Sequence, residues 1–129
     1  MEVIDSRFLL EYFLSEEVGS KASKHLKQLI EKRTGILPTI VVAETVRYVC
    51  EKRGAEEAKL RYLSLIRSGL LIADLTGEVA REAGLLKCRH QNLPMGDCIL
   101  AAIARSRKAK ILSDDVHFDE IKGVSRTWF

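Results

Sequence analysis

The segment spanning residues 93–118 restricts the fold of this chain more than any other. It contains an apolar helical pattern over 97–107, a basic turn, and a short apolar strand pattern over 110–113. Apolar residues occupy most sides of the predicted helix, so we expect it to be largely buried. Asp97 begins the helix and Asp114–Asp115 follow the strand, and carboxylates beside buried elements cost desolvation energy unless a cation meets them. Taken singly, Asp97 also fits an ordinary helix N-terminus, and Asp114–Asp115 an ordinary turn.

Strand and helix patterns alternate along the whole chain. This alternation predicts one α/β domain over residues 1–129, with helices on both faces of a parallel or mostly parallel sheet of about four to five short strands. The expected architecture is a three-layer α/β/α sandwich. Strands are predicted at 3–4, 36–38, 70–73, 110–113 and 124–128, and helices after Ser6 and at 21–33, 40–52, 55–67, 77–87 and 97–107.

Capping residues and apolar stripes refine these helices. Ser6, Thr39 and Thr76 are predicted N-caps, because short hydroxyl side chains accept hydrogen bonds from the free N–H groups of a first turn. Spacing of three residues places one apolar stripe on the helix over 55–67. The residues of that stripe, expected to face the core, are Leu60, Leu63 and Ile66.

Four acids occupy comparable places relative to the predicted elements. Asp5 follows the first strand, Asp115 follows the strand over 110–113, and Asp97 begins the helix that leads into that strand. Glu44 lies about one turn into an otherwise apolar helix, where an ion pair with Arg47 is the ordinary alternative. In parallel α/β folds, ligands bind beyond the carboxyl ends of the strands, so these acids can converge at one edge of the sheet.

Composition narrows the class of protein. No apolar run reaches the ~18 residues of a membrane helix, and the N-terminal residues lack the basic start and long apolar run of a signal peptide, so we expect a cytoplasmic protein. The cysteines Cys50, Cys88 and Cys98 match neither a disulfide framework nor a usual zinc spacing, even with His90 included. The net charge of +3 permits a nucleic-acid partner without requiring one.

Four short motifs occur in a characteristic order and spacing. They are Val3-Ile4-Asp5-Ser6, Val41-Val42-Ala43-Glu44, Gly96-Asp97-Cys98-Ile99-Leu100-Ala101-Ala102 and Ile111-Leu112-Ser113-Asp114-Asp115-Val116-His117-Phe118. With these motifs the chain resembles, nearly end to end, a PIN domain, the metal-dependent nuclease fold of many toxins in toxin–antitoxin pairs.

The resemblance implies a set of site residues. The family's catalytic, metal-binding acids fall on Asp5, Glu44, Asp97 and Asp115. The implied cofactor is Mg²⁺ or Mn²⁺, and such hard cations do prefer carboxylate oxygens as ligands. The residues expected to orient an acid or to contact the substrate are Ser6, Arg7, Ser113 and His117.

Two positions depart from the family pattern. Arg7 stands where the family often has Ser or Asn, and His117 where many members carry a further acid. Phe118 matches an aromatic anchor of structural character. Asp114 matches no catalytic position, and we expect it to be a turn residue or a neighbour of the metal ligands.

The function that the resemblance implies is hydrolysis of RNA phosphodiester bonds by a Mg²⁺- or Mn²⁺-dependent endoribonuclease. The implied role is the toxin of a toxin–antitoxin pair, with RNA as substrate, a cognate antitoxin as partner and a homodimer as assembly. The alternatives are a housekeeping PIN nuclease in RNA processing and a non-catalytic binding module. A haloacid-dehalogenase-type phosphatase would need an aspartate where Arg7 stands. Cations expected to hold the RNA backbone are Arg7, Arg47, Lys87 and Arg89.

Overall fold

A computed structural model describes residues 1–15 and 19–129. The strands are β1 (Glu2–Ile4), β2 (Gly35–Pro38), β3 (Leu71–Ala73), β4 (Lys110–Leu112) and β5 (Arg126–Thr127). The helices are α1 (Ser6–Leu14), α2 (Lys21–Lys32), α3 (Thr39–Arg53), α4 (Ala55–Ile66), α5 (Gly77–Arg89) and α6 (Met95–Arg107), and a 3₁₀ helix spans Val116–Glu120.

All five strands form one sheet in the order β3-β2-β1-β4-β5. Every neighbouring pair is parallel, and the central strand β1 places Val3 opposite Ile36 on one side and opposite Ile111 on the other. The predicted α/β fold with a parallel sheet is confirmed. No helix within residues 1–15 and 19–129 is long and apolar enough to cross a membrane.

Helices cover both faces of the sheet. Crossovers between parallel strands are right-handed. Because β1, β2 and β3 follow one another in one direction across the sheet, helices α1–α4 lie over one face. The chain then returns across the sheet to β4, so α5 and α6 lie over the other face. The central strand is closed off from solvent, with Val3 and Ile4 fully buried. Helix α6 is buried from Cys98 to Ala104, as its apolar pattern predicts. This buried helix holds Asp97 in a fixed place near its N-terminus.

Two of the three predicted N-caps are wrong. Asp5 occupies the N-cap position of α1, and Ser6 is the first helical residue, with its hydroxyl 3.4 Å from Asp5 Oδ1. Likewise Pro38 precedes α3, which begins at Thr39. Asp5 alone separates β1 from α1, and α3 follows β2 without a linker, so each helix begins one residue earlier than the hydroxyl pattern indicates. The cap at Thr76 is confirmed, since its side chain accepts a hydrogen bond from the Val79 N–H at 3.2 Å.

The predicted core face of α4 is also wrong. Leu60, Leu63 and Ile66 are 63%, 41% and 38% exposed, whereas Ala58 and Leu65 are buried. Helix α4 packs mainly against α3 rather than against the sheet, so its buried stripe follows the direction of α3. The exposed leucines therefore form an apolar ridge on α4 that no element of the described chain covers.

Gly35→Ala should lower the free energy of unfolding by about 1–3 kcal/mol, the usual cost of an overpacked core. Gly35 is buried in β2, and an added Cβ would lie 2.7 Å from Leu70 Cδ2 and 3.0 Å from Leu29 Cβ. Gly84→Ala is the control, because its added Cβ meets nothing within 4 Å on exposed α5, and alanine should stabilise that helix by about 0.5–1 kcal/mol. Urea unfolding measures both variants. A free energy of unfolding that Gly35→Ala leaves unchanged would contradict this close packing.

Candidate active site

A buried carboxylate at the carboxyl end of β1 forms the centre of the candidate site. Asp5 is only 5% exposed, and its Oδ2 accepts a hydrogen bond from the Ser113 hydroxyl at 2.6 Å. Its backbone N–H donates to the Leu112 carbonyl at 3.2 Å, which continues the pairing of β1 with β4. Burial raises the pKa of Asp5 and the negative charge of Asp115 adds to this, against the lowering effect of the Ser113 hydrogen bond. The site therefore begins with a carboxylate for which ionisation is costly.

The loop after β4 brings a second acid, Asp115, close to Asp5. Ser113 is fully buried, and its hydroxyl oxygen also accepts a hydrogen bond from the Asp115 N–H at 3.0 Å. Asp115 precedes the 3₁₀ helix, and its Oδ1 accepts the His117 N–H at 3.0 Å. One hydroxyl thus connects Asp5 to Asp115 across two strands.

Asp97 lies in the first turn of α6 and faces the same cleft. Burial raises its pKa to about 6, and the negative charges of Asp5 and Asp115 contribute, while His117 and Arg7 oppose the shift. The helix N-terminus by itself would favour the ionised form. The raised pKa therefore reports that burial and neighbouring acids outweigh the helix dipole here.

Glu44 reaches the cleft from α3. The residue as a whole is exposed, yet partial burial of its carboxylate and the charges of Asp5 and Asp97 raise its pKa. Its carboxylate lies beside Gly96, where an added Cβ would be 3.7 Å from Glu44 Oε2. The alternative pairing with Arg47 is not formed, because Arg47 instead contacts Glu51 at 2.9 Å.

The structure therefore brings the predicted acids to one cleft, where Asp5 and Asp97 each interact electrostatically with Asp115 and with Glu44. Among the residues described, no three His, Cys, Asp or Glu side chains are grouped as a ready-made metal site. The donors available in the cleft are carboxylate and hydroxyl oxygens, which suit a hard divalent cation such as Mg²⁺ or Mn²⁺ and not a thiolate-seeking metal. Like charges in a cleft repel, so a cation bound between them would relieve the penalty that raises their pKa values.

Two further predicted site residues, His117 and Arg7, lie at the rim of the cleft. The side chain of His117 is 61% exposed, with Nδ1 3.0 Å from Asp115 Oδ1, so it orients that carboxylate. Arg7, 55% exposed, donates its Nε–H to Asp114, which is 43% exposed, and this contact lowers the pKa of the Asp114 carboxyl. The Arg7–Asp114 pair joins residues 107 positions apart, so no local sequence signal indicates it.

The other predicted cations are placed less favourably. Lys87 Nζ donates to the carbonyls of Gln91 and Leu93, both at 2.6 Å. It therefore stabilises the loop that leads into α6 and is not free to bind the RNA backbone. Arg47 is held by Glu51, and Arg89 is exposed at the end of α5. Of these cations, Arg7 interacts with the three aspartates of the cleft, whereas Arg47 reaches only Glu44.

Comparison with known proteins provides independent information. The profile of the PIN domain family matches residues 3–124. Among curated proteins, sequence comparison finds no significant match.

Several solved structures share the fold. VapBC2 from Rickettsia felis bound to a promoter DNA fragment is 16% identical, with a TM-score of 0.81 over 99% of this chain and 98% of that one. DNA-bound VapBC from Salmonella typhimurium is 15% identical, with a TM-score of 0.76 over 98% of this chain and 96% of that one. VapC20 from Mycobacterium tuberculosis, a toxin that cleaves the sarcin-ricin loop, is 14% identical, with a TM-score of 0.71 over 92% of this chain and 93% of that one.

Asp97→Asn should leave the metal-free protein as stable as the wild type at pH 7, or more stable. The pKa of Asp97 is about 6 in the folded protein, above the value of about 3.9 in an unfolded chain. Folding therefore disfavours the ionised form, and this penalty is present above about pH 6 and disappears below about pH 4. Chemical unfolding in EDTA at pH 7 and pH 4 measures the difference between the two proteins.

Glu31→Gln, at an exposed position of α2, is the matched control for that comparison. It removes one carboxylate charge outside the cleft, so its effect should not follow the same pH window. A large loss of stability in Asp97→Asn at pH 7 would show instead that the Asp97 carboxylate supports the fold.

Proposed function

This chain belongs to the PIN domain family, and from that membership we propose that it is a Mg²⁺- or Mn²⁺-dependent endoribonuclease that acts as the toxin of a toxin–antitoxin pair. The observation that carries the proposal is the raised pKa of Asp5, Glu44 and Asp97, each explained in part by the charge of another acid of the cleft. A surface that served only structure would have no reason to hold four acids in mutual repulsion.

The proposed division of labour follows from where each side chain lies. Asp5, Asp97 and Asp115 would hold the cation, and Glu44 would complete the oxygen donors from α3. When bound, such a cation lowers the pKa of a water molecule and neutralises charge on the phosphodiester. Ser113 keeps the Asp5 and Asp115 groups in register through its two hydrogen bonds. Arg7, at the rim, would meet a phosphate of the substrate with the guanidinium N–H groups that Asp114 does not occupy.

RNA as substrate and the toxin role rest on the family resemblance and on the structural relatives. One relative is described as a toxin that cleaves the sarcin-ricin loop, and another, from Klebsiella pneumoniae, as a toxin–antitoxin complex. We therefore extend the proposal to a cognate antitoxin as partner. We also propose a homodimer, for which the apolar ridge of Leu60, Leu63 and Ile66 on α4 offers a contact surface. Light scattering tests both proposals through the molar mass. The purified protein alone tests the homodimer, and a mixture with the product of any adjacent antitoxin gene tests the antitoxin complex.

Asp97→Asn should reduce RNA cleavage by at least about 10³-fold, because metal-assisted charge stabilisation supplies several kcal/mol and each ~1.4 kcal/mol is a factor of ten. EDTA should abolish wild-type activity, and Mg²⁺ or Mn²⁺ should restore it. The measurement is single-turnover cleavage of a labelled RNA, with Glu31→Gln as the control that keeps full activity. Cleavage that survives EDTA, or an Asp97→Asn protein with wild-type rates, would contradict the proposal.

His117→Asn should retain metal-dependent cleavage with a loss of about 10–100-fold, the usual cost of removing a group that orients a ligand. The reason is that His117 contacts Asp115 while most of its own side chain faces solvent. Rates for wild type and variant at saturating Mg²⁺ measure the effect. Complete loss of activity in a folded His117→Asn protein, without rescue by Mn²⁺, would show that His117 has a more direct role.

A further inference from the structure

A concave pocket of about 410 Å³ lies at the end of α6 opposite to Asp97. Its lining includes Arg105 and Lys108 at the end of the helix, Lys110 at the start of β4, and Gly123 and Ser125 ahead of β5. No acidic residue within 1–15 and 19–129 lines it. The pocket therefore presents positive charge in a concave surface at the amino ends of the strands, away from the acid cleft.

The acids that the structure describes do not neutralise the cations of this pocket. Arg105, Lys108 and Lys110 are exposed, and none of them forms an ion pair with a carboxylate within residues 1–15 and 19–129. Glu2 lies opposite Lys110 in the β1–β4 register, but its carboxylate contacts His25 at 3.0 Å. The positive charge is therefore available to a ligand.

Support of the helix explains only part of this arrangement. Cations near a helix C-terminus are favoured by the helix dipole, which accounts for Arg105 and Lys108. It does not account for Lys110, which lies in β4, or for the concave shape. Gly123 closes the pocket with φ at +81°, and an added Cβ there would lie 3.7 Å from Arg105 Nε. The Gly123 backbone therefore lies beside the Arg105 guanidinium.

A strand of nucleic acid has a physical reason to use this pocket. Its phosphates are repelled by the acid cleft, so affinity must come from cations elsewhere on the surface. Asp97 and Lys108 lie near opposite ends of α6, and a helix rise of ~1.5 Å per residue separates their Cα atoms by about 16 Å. Because α6 is buried between these ends, a strand has to run over the surface, and at ~3.4 Å per stacked nucleotide it needs at least about five nucleotides to connect them.

We propose that the pocket lined by Arg105, Lys108 and Lys110 binds backbone phosphates of the RNA substrate, several nucleotides away from the bond that is cut. The identification of the polyanion as RNA rests on the proposed function, whereas the phosphate-binding site rests on the pocket itself. The site would supply affinity without sequence preference, because phosphate contacts carry no base information.

The test compares the double variant Arg105→Gln/Lys108→Asn with Lys27→Gln/Lys59→Gln, which removes the same charge from exposed positions on α2 and α4. Asparagine is chosen because Lys108 has φ at 52°, a conformation that asparagine tolerates. Binding of a fluorescein-labelled oligouridylate is measured by anisotropy over a range of salt concentrations. Both pairs are made in the Asp97→Asn background without metal, so that affinity is recorded apart from cleavage.

The pocket variant should bind roughly tenfold or more weakly at 0.1 M salt, and its plot of log K against log salt should be shallower by about 1.4, since each lost contact to a single strand contributes ~0.7. The control pair should keep the parent slope. Equal slopes in the pocket and control pairs would overturn the proposal. If the wild-type protein is an active, metal-dependent nuclease but the pocket variant keeps the parent salt slope, this inference alone is overturned. If the pocket variant binds RNA more weakly but the wild-type protein cleaves no RNA, the proposed function alone is overturned.

A second measurement avoids substitution in the pocket. The backbone amides of Gly123 and Ser125 should shift when the oligouridylate is added to ¹⁵N-labelled Asp97→Asn protein. Unperturbed amides at saturating RNA would also overturn the inference.

Discussion

The rest of the site depends on a buried carboxylate held by one hydroxyl. Asp5 is almost excluded from solvent, and the Ser113 hydroxyl that donates to it also accepts the N–H of Asp115. This pair of hydrogen bonds joins the ends of β1 and β4, so the position of one acid sets the position of the other. Since burial opposes the charge of Asp5 and Asp115 adds repulsion, the arrangement costs free energy that a bound cation would recover.

The parallel sheet provides the framework for this arrangement. Strands β1 and β4 are neighbours and end at the same edge, which brings Asp5 and the Ser113–Asp115 loop together. Helix α6 is buried along most of its length, so the place of Asp97 is decided by core packing and not by the site. The same helix carries its cations at the other end. Stability and function are thus linked through α6, whose apolar middle separates an acidic end from a basic one.

The sequence predicted most of the fold and the placement of the acids because both depend on short-range patterns. Strand ends and helix starts are local features, and Asp5 and Asp97 lie at such points. The errors arose where tertiary packing decides the outcome. The exposed ridge of α4, represented by Leu60, depends on the direction of α3, which periodicity does not record. The contact of Arg7 with Asp114 joins distant parts of the chain, and no pattern in one sequence contains it.

The central claim is that the four acids form one divalent-metal site, and a crystal soaked in Mn²⁺ tests it most directly. Anomalous diffraction should show a manganese peak with oxygen atoms of Asp5, Asp97 and Asp115 at coordination distances of roughly 2.0–2.6 Å. The same soak of an Asp97→Asn crystal should show a weaker peak or none. A strong peak elsewhere on the molecule, or no peak in the cleft of a wild-type crystal at saturating Mn²⁺, would contradict the account.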